Sequence, residues 1–505
     1  MRFTKAGLFT LLAAALCAAP ASAATPGSAG IGDRLFPTLG NGGYDAKHYD
    51  LGLYYGSTAP EQDVRGVVKM RAVATQDLSR FNLDYAGDAV HGVVVDGRKA
   101  SFRHNDRELV ITPARALRRG RTFETVVTFT GGPYTPEEGD FGPIGWFTTA
   151  DGSVTSGQIN RAQDIYPVND HPADKATYSY TIAAPKATTV AVSGRRTGKR
   201  SVGDSYVWSF EMDEPMASQV IQLATGDLVE IQRGHVGHTR LRDVVARPWV
   251  ETTNPTLSEG PAQFRWMLGH AGAYPFDEYG VLAVDRSFRY ALETQTLTLH
   301  PAELFDPGQY PQDFAQSIAV HELAHQWYGD SVSIKQYSDL WLAEGPATWY
   351  EQEFMADHFD ADFEAYMRDQ YSVSQEYRDT YGPVARPKNG SDEVIFSDQI
   401  YGGGALALFA LHEKVGDRTW RGLMKEWAQR YEGQSVSTDD FIAFVDRSVR
   451  GDMTRFLRDW LYGTTTPPMP GHPDWETAGA PVATATAARA SRASSAARKL
   501  EKFGR

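Results

Sequence analysis

The stretch His321-Glu322-Leu323-Ala324-His325 decides the reading of this chain, together with Glu344 in Trp341-Leu342-Ala343-Glu344-Gly345, eighteen intervening residues further on. On a helix, two histidines four apart project from one face, so both imidazoles reach a single ion. The glutamate between them points near that ion without having to bind it. A carboxylate from a following helix supplies a third protein ligand and leaves one tetrahedral position open, the arrangement expected of hydrolytic zinc. Thirteen histidines in 505 residues produce the first motif by chance on the order of once in fifty such chains. The downstream glutamate lowers that further, and the flanks fit a buried helix pair. Phe314, Ile318 and Ala319 recur at helical spacing before the motif, and Gly329-Asp330 is a stop signal after it. A surface helix that merely carries these side chains is the weaker reading.

Outward from that core, the length implies two or three domains. Lys and Arg number 50 against 63 Asp and Glu, a net charge of −13, which argues against a nucleic-acid or anionic-membrane partner. The amino terminus reads as a signal peptide over 1–24: Arg2 and Lys5, an apolar run from about Ala6 to Ala19, then Ala21-Ser22-Ala23. The run is shorter than the ~20 residues of a membrane span, so the expectation is a secreted protein with no membrane anchor. Cys17, the one cysteine, lies inside that segment, so the mature chain would hold no disulfide.

Residues 30–247 read as a β domain. Tyr49, Leu51, Leu53 and Tyr55 alternate, as do Val68, Met70, Ala72 and Ala74, and then Phe81, Leu83 and Tyr85. Asp96-Gly97 marks a hairpin turn. Further strands are expected at Leu109–Thr112, Thr122–Thr130, Tyr178–Ala184 and Tyr206–Met212. From Arg247-Pro248 the pattern changes, and 248–470 reads as a mainly helical catalytic domain. It has a helix over Phe264–Ala273, a strand over Val281–Val284 and an edge strand over Tyr290–His300. Helices then follow at Trp341–Phe359, Gly404–Val415, Arg418–Tyr431, Thr438–Asp446 and Met453–Tyr462. Residues 471–505, rich in Ala and Pro, read as a flexible, solvated tail.

Several separate blocks resemble the gluzincin aminopeptidases, the family of aminopeptidase N and leukotriene hydrolase. These are His321 to Asp330, Asp339 to Thr348, and Tyr166 to Tyr178, and the similarity runs from about residue 44 to 468. The resemblance implies a multidomain α+β protein, with a saddle-like antiparallel β domain followed by a thermolysin-like, mainly helical catalytic domain. It implies one Zn2+ held by His321, His325 and Glu344, with Glu322 as general base. Peptides with a free N-terminus are the implied substrates. Tyr401-Gly402-Gly403-Gly404-Ala405 matches the family's Tyr-x-x-Gly-Ala context, which makes Tyr401 the oxyanion donor. The family reads the substrate's amino group with the glutamate of a Gly-x-Met-Glu-Asn strand. Here Tyr290-Ala291-Leu292-Glu293-Thr294 keeps Glu293 but neither the glycine nor the asparagine. Gln158, nine residues before Pro167, matches a glutamine that contacts the amino end.

Asp339 and Asp330 compete as the acceptor that orients a ligand histidine. His48, His91, His104, His171, His270 and His300 lack metal spacing. Gly402 to Gly404 lacks the Lys-Ser/Thr ending of a phosphate loop. Alternatives are a thermolysin-like endopeptidase and, from another class, a non-catalytic zinc-binding module; epoxide hydrolysis is a minor one.

Overall fold

The computed structural model describes residues 23–133 and 141–478. Residues 1–22 of the expected signal peptide and 479–505 of the expected tail lie outside the described residues.

The alternating segments build an eight-stranded sheet. Its order is Arg195–Val202, Ser205–Met216, Ala176–Pro185, Tyr44–Tyr55, Val64–Ala74, Thr122–Gly131, Ala89–Val95 and Arg98–Lys99. Period-2 patterning sets the register. Tyr49 faces Met70 on one side and Tyr178 on the other, and Leu51 lies between Val68 and Tyr180, so all six side chains enter one core. The hairpin at Asp96-Gly97 forms with both residues at positive φ, 48° and 71°, as a two-residue turn of the primed type requires. One pairing departs from the antiparallel expectation: Ala176–Pro185 runs parallel to Tyr44–Tyr55. The chain reaches this position after a long excursion through other strands, with Arg195–Val202 and Ser205–Met216 still to be added, so no tight hairpin constrains its direction.

Two four-stranded sheets complete this domain. One pairs Thr25–Pro26, Leu78–Asp84, Glu108–Thr112 and Ser101–Asn105; the other pairs Gly145–Thr148, Ser153–Ser156, Leu223–Gly226 and Thr189–Val192.

Sheet membership crosses residue 247. Strands Leu228–Val236 and Thr239–Ala246 belong to the same sheet as Val281–Val284 and Thr298–Pro301, with Val245 beside Ala283. The change at Arg247-Pro248 is therefore a strand-to-helix switch within the unit built on that sheet. The expected edge strand over Tyr290–His300 is also corrected. Only Thr298–Pro301 is strand, while Leu292 bridges back to Leu299 and Thr296 turns the chain at φ 67°.

The helices sit close to expectation: Gly260–Ala271, Gln312–His325, Trp341–Phe359, Gly402–Val415, Asp417–Arg430, Thr438–Ser448 and Met453–Tyr462. Val250–Leu257 and Phe363–Tyr381 were not anticipated. The expected tail begins later than 471. Trp475 is buried, stacked on Phe409 with centroids 5.7 Å apart, and the Ala478 N–H donates to the Ser372 carbonyl.

Candidate metal centre and active site

The helix Gln312–His325 is buried on every side from Phe314 onward, and Trp341–Phe359 is buried from Trp341 through Glu351. Packing these two helices together brings the sequence-distant ligands into one pocket. His321 Nε2 and His325 Nε2 each lie 3.4 Å from Glu344 Oε2, and the three ligand atoms are within 4.8 Å of one another.

The opposite ring nitrogens reveal the protonation. His325 Nδ1 donates to the Tyr328 carbonyl at 3.1 Å, and His321 Nδ1 donates to Glu351 Oε2 at 3.1 Å. In the neutral rings both Nε2 lone pairs then face the Glu344 carboxylate. Three acceptors pointed at one another in a buried pocket need a cation between them, so the donor set fits zinc. The surrounding carboxylates also make this spot favourable for positive charge, whether a proton or a metal ion carries it. Burial opposes a charge on Glu344, yet His325 and His321 bring its pKa down to about 2. Burial likewise opposes a charge on His325, but Glu344, Glu293 and Glu322 outweigh it and raise its pKa.

Asp339 and Asp330 are thereby corrected as histidine partners. Asp339 Oδ1 instead accepts from the Thr438 N–H and hydroxyl, at 2.9 and 2.7 Å, which ties down the start of another helix. Asp330 Oδ2 accepts from Gln326 Nε2 at 2.7 Å. Glu351, which orients His321, was missed. Its signal was its position seven residues after Glu344, two turns along the same helix face.

Glu322, Glu293 and His325 also converge, with one ligand-type atom from each within 4.8 Å of the others. Burial, countered by His321 and His325 and reinforced by Glu293 and Glu344, pushes Glu322 up to about 7. That is a proton affinity suited to exchange near neutrality. Glu293 is raised too, first by burial. Gln158 Nε2 donates to Glu293 Oε1 at 3.0 Å, so two residues 135 positions apart in sequence meet.

Tyr401 caps the helix Gly402–Val415, and its ring stacks on His321 at 6.0 Å and 15°. Its glycine neighbours have a packing reason. A Cβ on Gly345 would sit 2.9 Å from the Gly404 carbonyl carbon, so this helix crosses the Glu344 helix at backbone contact. That close approach brings the Tyr401 hydroxyl to Glu344. Burial first, then Glu344, Glu293 and Glu322, raise its pKa, which keeps the hydroxyl protonated and able to donate.

The other histidines have ordinary roles. His171 Nε2 contacts Asp33 Oδ2 at 3.3 Å, and His300, held neutral by burial, pairs with Thr298.

Similarity to known proteins follows the same outline. Residues 266–460 match the Peptidase family M1 domain. Leucyl aminopeptidase of Saccharolobus solfataricus is 23% identical over 324 residues, which span 62% of this chain but 41% of that protein. Leukotriene A-4 hydrolase of Xenopus laevis is 23% identical over 459 residues, 85% of this chain and 72% of that protein. Among solved structures, the M1 zinc metallopeptidase of Deinococcus radiodurans superposes with a TM-score of 0.77 at 29% identity. The match covers 87% of this chain and 99% of that one. A mutant of that protein bound to a Tyr-Ser-Ala substrate superposes with a TM-score of 0.76 at 28% identity.

Proposed function

We propose that this chain, a member of the M1 peptidase family through its 266–460 domain, hydrolyses the first peptide bond of peptides with a free amino terminus. Zinc is its cofactor, and His321 Nε2, His325 Nε2 and Glu344 are the groups that would hold it. When bound there, zinc supplies Lewis acidity that polarises a carbonyl and makes a water molecule acidic near neutrality.

The rest of the chemistry belongs to side chains. Glu322 takes a proton from the attacking water and returns it to the departing amine as the C–N bond breaks. The Tyr401 hydroxyl donates to the carbonyl oxygen as that oxygen gains negative charge. Gln158 holds Glu293 Oε1, and Glu293 Oε2 accepts from the substrate ammonium, which fixes where the peptide must begin.

One observation carries the exopeptidase reading. Glu293 is 6% exposed, lies against Glu322 and His325, and has no Lys or Arg paired with it among the described residues. A buried carboxylate of that kind calls for a cation, and a substrate ammonium supplies one. A thermolysin-like endopeptidase would bring no substrate ammonium to it. The deciding comparison is hydrolysis of an aminoacyl chromogenic amide and of its N-acetylated form. The free amine should be preferred by about a hundredfold or more in kcat/KM. Equal turnover of the two would overturn the reading.

We also read the chain as exported, on the strength of Arg2, Lys5, the apolar run and Ala21-Ser22-Ala23. Mass spectrometry of the protein recovered from culture medium should find a terminus just after Ala23 or Ala24. Intact Met1 on protein confined to the cytoplasm would refute export. No helix among the described residues is long and apolar enough to cross a membrane.

A further inference from the structure

Gln326 follows the ligand His325, and its buried side chain makes four hydrogen bonds. Its Oε1 accepts from the Thr296 N–H at 2.8 Å and from the Tyr274 hydroxyl at 3.3 Å. Its Nε2 donates to the Glu293 carbonyl at 3.1 Å and to Asp330 Oδ2 at 2.7 Å. These contacts use the full ordinary capacity of the amide and fix which end faces which partner. Two of the four go to the backbone of the turn that carries Glu293.

That turn has little regular structure to hold it. Its backbone is tied to its surroundings by the Leu292–Leu299 bridge, the Gln295 N–H to the Val220 carbonyl and Gln326, while the Thr294 hydroxyl donates to Gln222 Oε1 and the Thr296 hydroxyl accepts from the Gly194 N–H. The other anchor of the amide is itself secured: Lys175 Nζ, from the β domain, donates to the Asp330 and Ser331 carbonyls. A continuous set of hydrogen bonds therefore runs from the β domain through the end of the metal-binding helix to Glu293.

We propose that Gln326 is a positioning residue that sets the reach between Glu293 and the metal-binding helix, and thereby restricts cleavage to the first bond after a free ammonium. This rests on the aminopeptidase reading above. The same amide orientation that braces His325's helix thus determines the substrate's register.

Gln326→Glu keeps both acceptor contacts but sets a carboxylate against Asp330 and against the Glu293 carbonyl. Adding Asp330→Asn restores a donor opposite position 326, so in the double variant only the Glu293 carbonyl lacks its partner. The zinc content of the double variant should match the parent. Its melting temperature should recover to within about 2 °C of the parent. The preference for free over N-acetylated substrate in kcat/KM should still fall about tenfold, expressed as a higher KM for the free amine rather than a lower kcat. Undiminished preference in the folded, zinc-loaded double variant overturns the inference. So does a double variant that remains unstable or zinc-poor, because Gln326 would then be a structural tie alone. If the parent protein shows no preference, the aminopeptidase reading itself fails and takes this inference with it.

Discussion

The strand Val64–Ala74 and the helix Gln312–His325 are similar in length and opposite in character. Along the strand, buried and exposed residues alternate, with Val68 1% and Val67 44% exposed. Along the helix, every residue from Phe314 to His325 is buried. A sheet with one wet face writes its structure into hydrophobic periodicity. A helix enclosed all round has no polar stripe, and what marks it is the spacing of groups that chemistry needs. The first region can lose side chains at a cost in stability alone. In the second, a change of one atom reaches the reaction.

That contrast can be broken or sharpened by substitution. The largest effect belongs to the metal centre. Glu322→Gln should retain zinc by elemental analysis yet lose about a thousandfold in kcat, the middle of the range for removing a general base. His321→Ala should lose both zinc and activity. Turnover at the parental rate by Glu322→Gln would dissolve the distinction between the regions.

Leu51→Ala, in the sheet core, should cost about 2–5 kcal/mol in urea unfolding while kcat stays at the parental value. Glu351→Gln removes the carboxylate that orients His321, and zinc affinity measured by competition with a chelator should weaken roughly 10–100-fold. Gly345→Ala forces a methyl group against the Gly404 backbone. It should cost about 1–3 kcal/mol, with kcat falling as Tyr401 shifts, and unchanged kinetics would show that the glycine contact does not place that hydroxyl. Smallest is Val67→Thr on the exposed face, expected within about 0.5 kcal/mol of the parent and silent in activity.

Much of the site was legible because its residues are chemically rare at those spacings. His321, Glu322, His325 and Glu344 are brought together in one pocket, and Tyr401, Glu293 and Gln158, which only the family resemblance singles out, lie beside them. Glu351 and Gln326 were not singled out because hydrogen-bond partners obey no fixed spacing; their roles depend on which backbone groups the tertiary fold leaves beside them. The sheet strands were legible wherever one face met water. That the hairpin Leu228–Ala246 joins Val281–Val284 is not legible, because local alternation does not say which sheet a strand joins. The helix Phe363–Tyr381 had a readable stripe in Met367, Tyr371, Ser374 and Arg378, but two of its four buried positions are polar and obscured it. Arg378 is buried there because its guanidinium donates to the Gly463 and Trp460 carbonyls.

The strands between Leu228 and Ala246 have a practical corollary. A fragment begun at the strand-to-helix switch would discard two of the five strands beneath the reaction centre and expose Val281–Val284 along an open, sticky border. It would also forfeit the Lys175 ammonium that grips the loop past His325. The helical half is thus not a portable cassette, and grafting it onto another scaffold requires a cut upstream of Leu228 and a substitute for that grip.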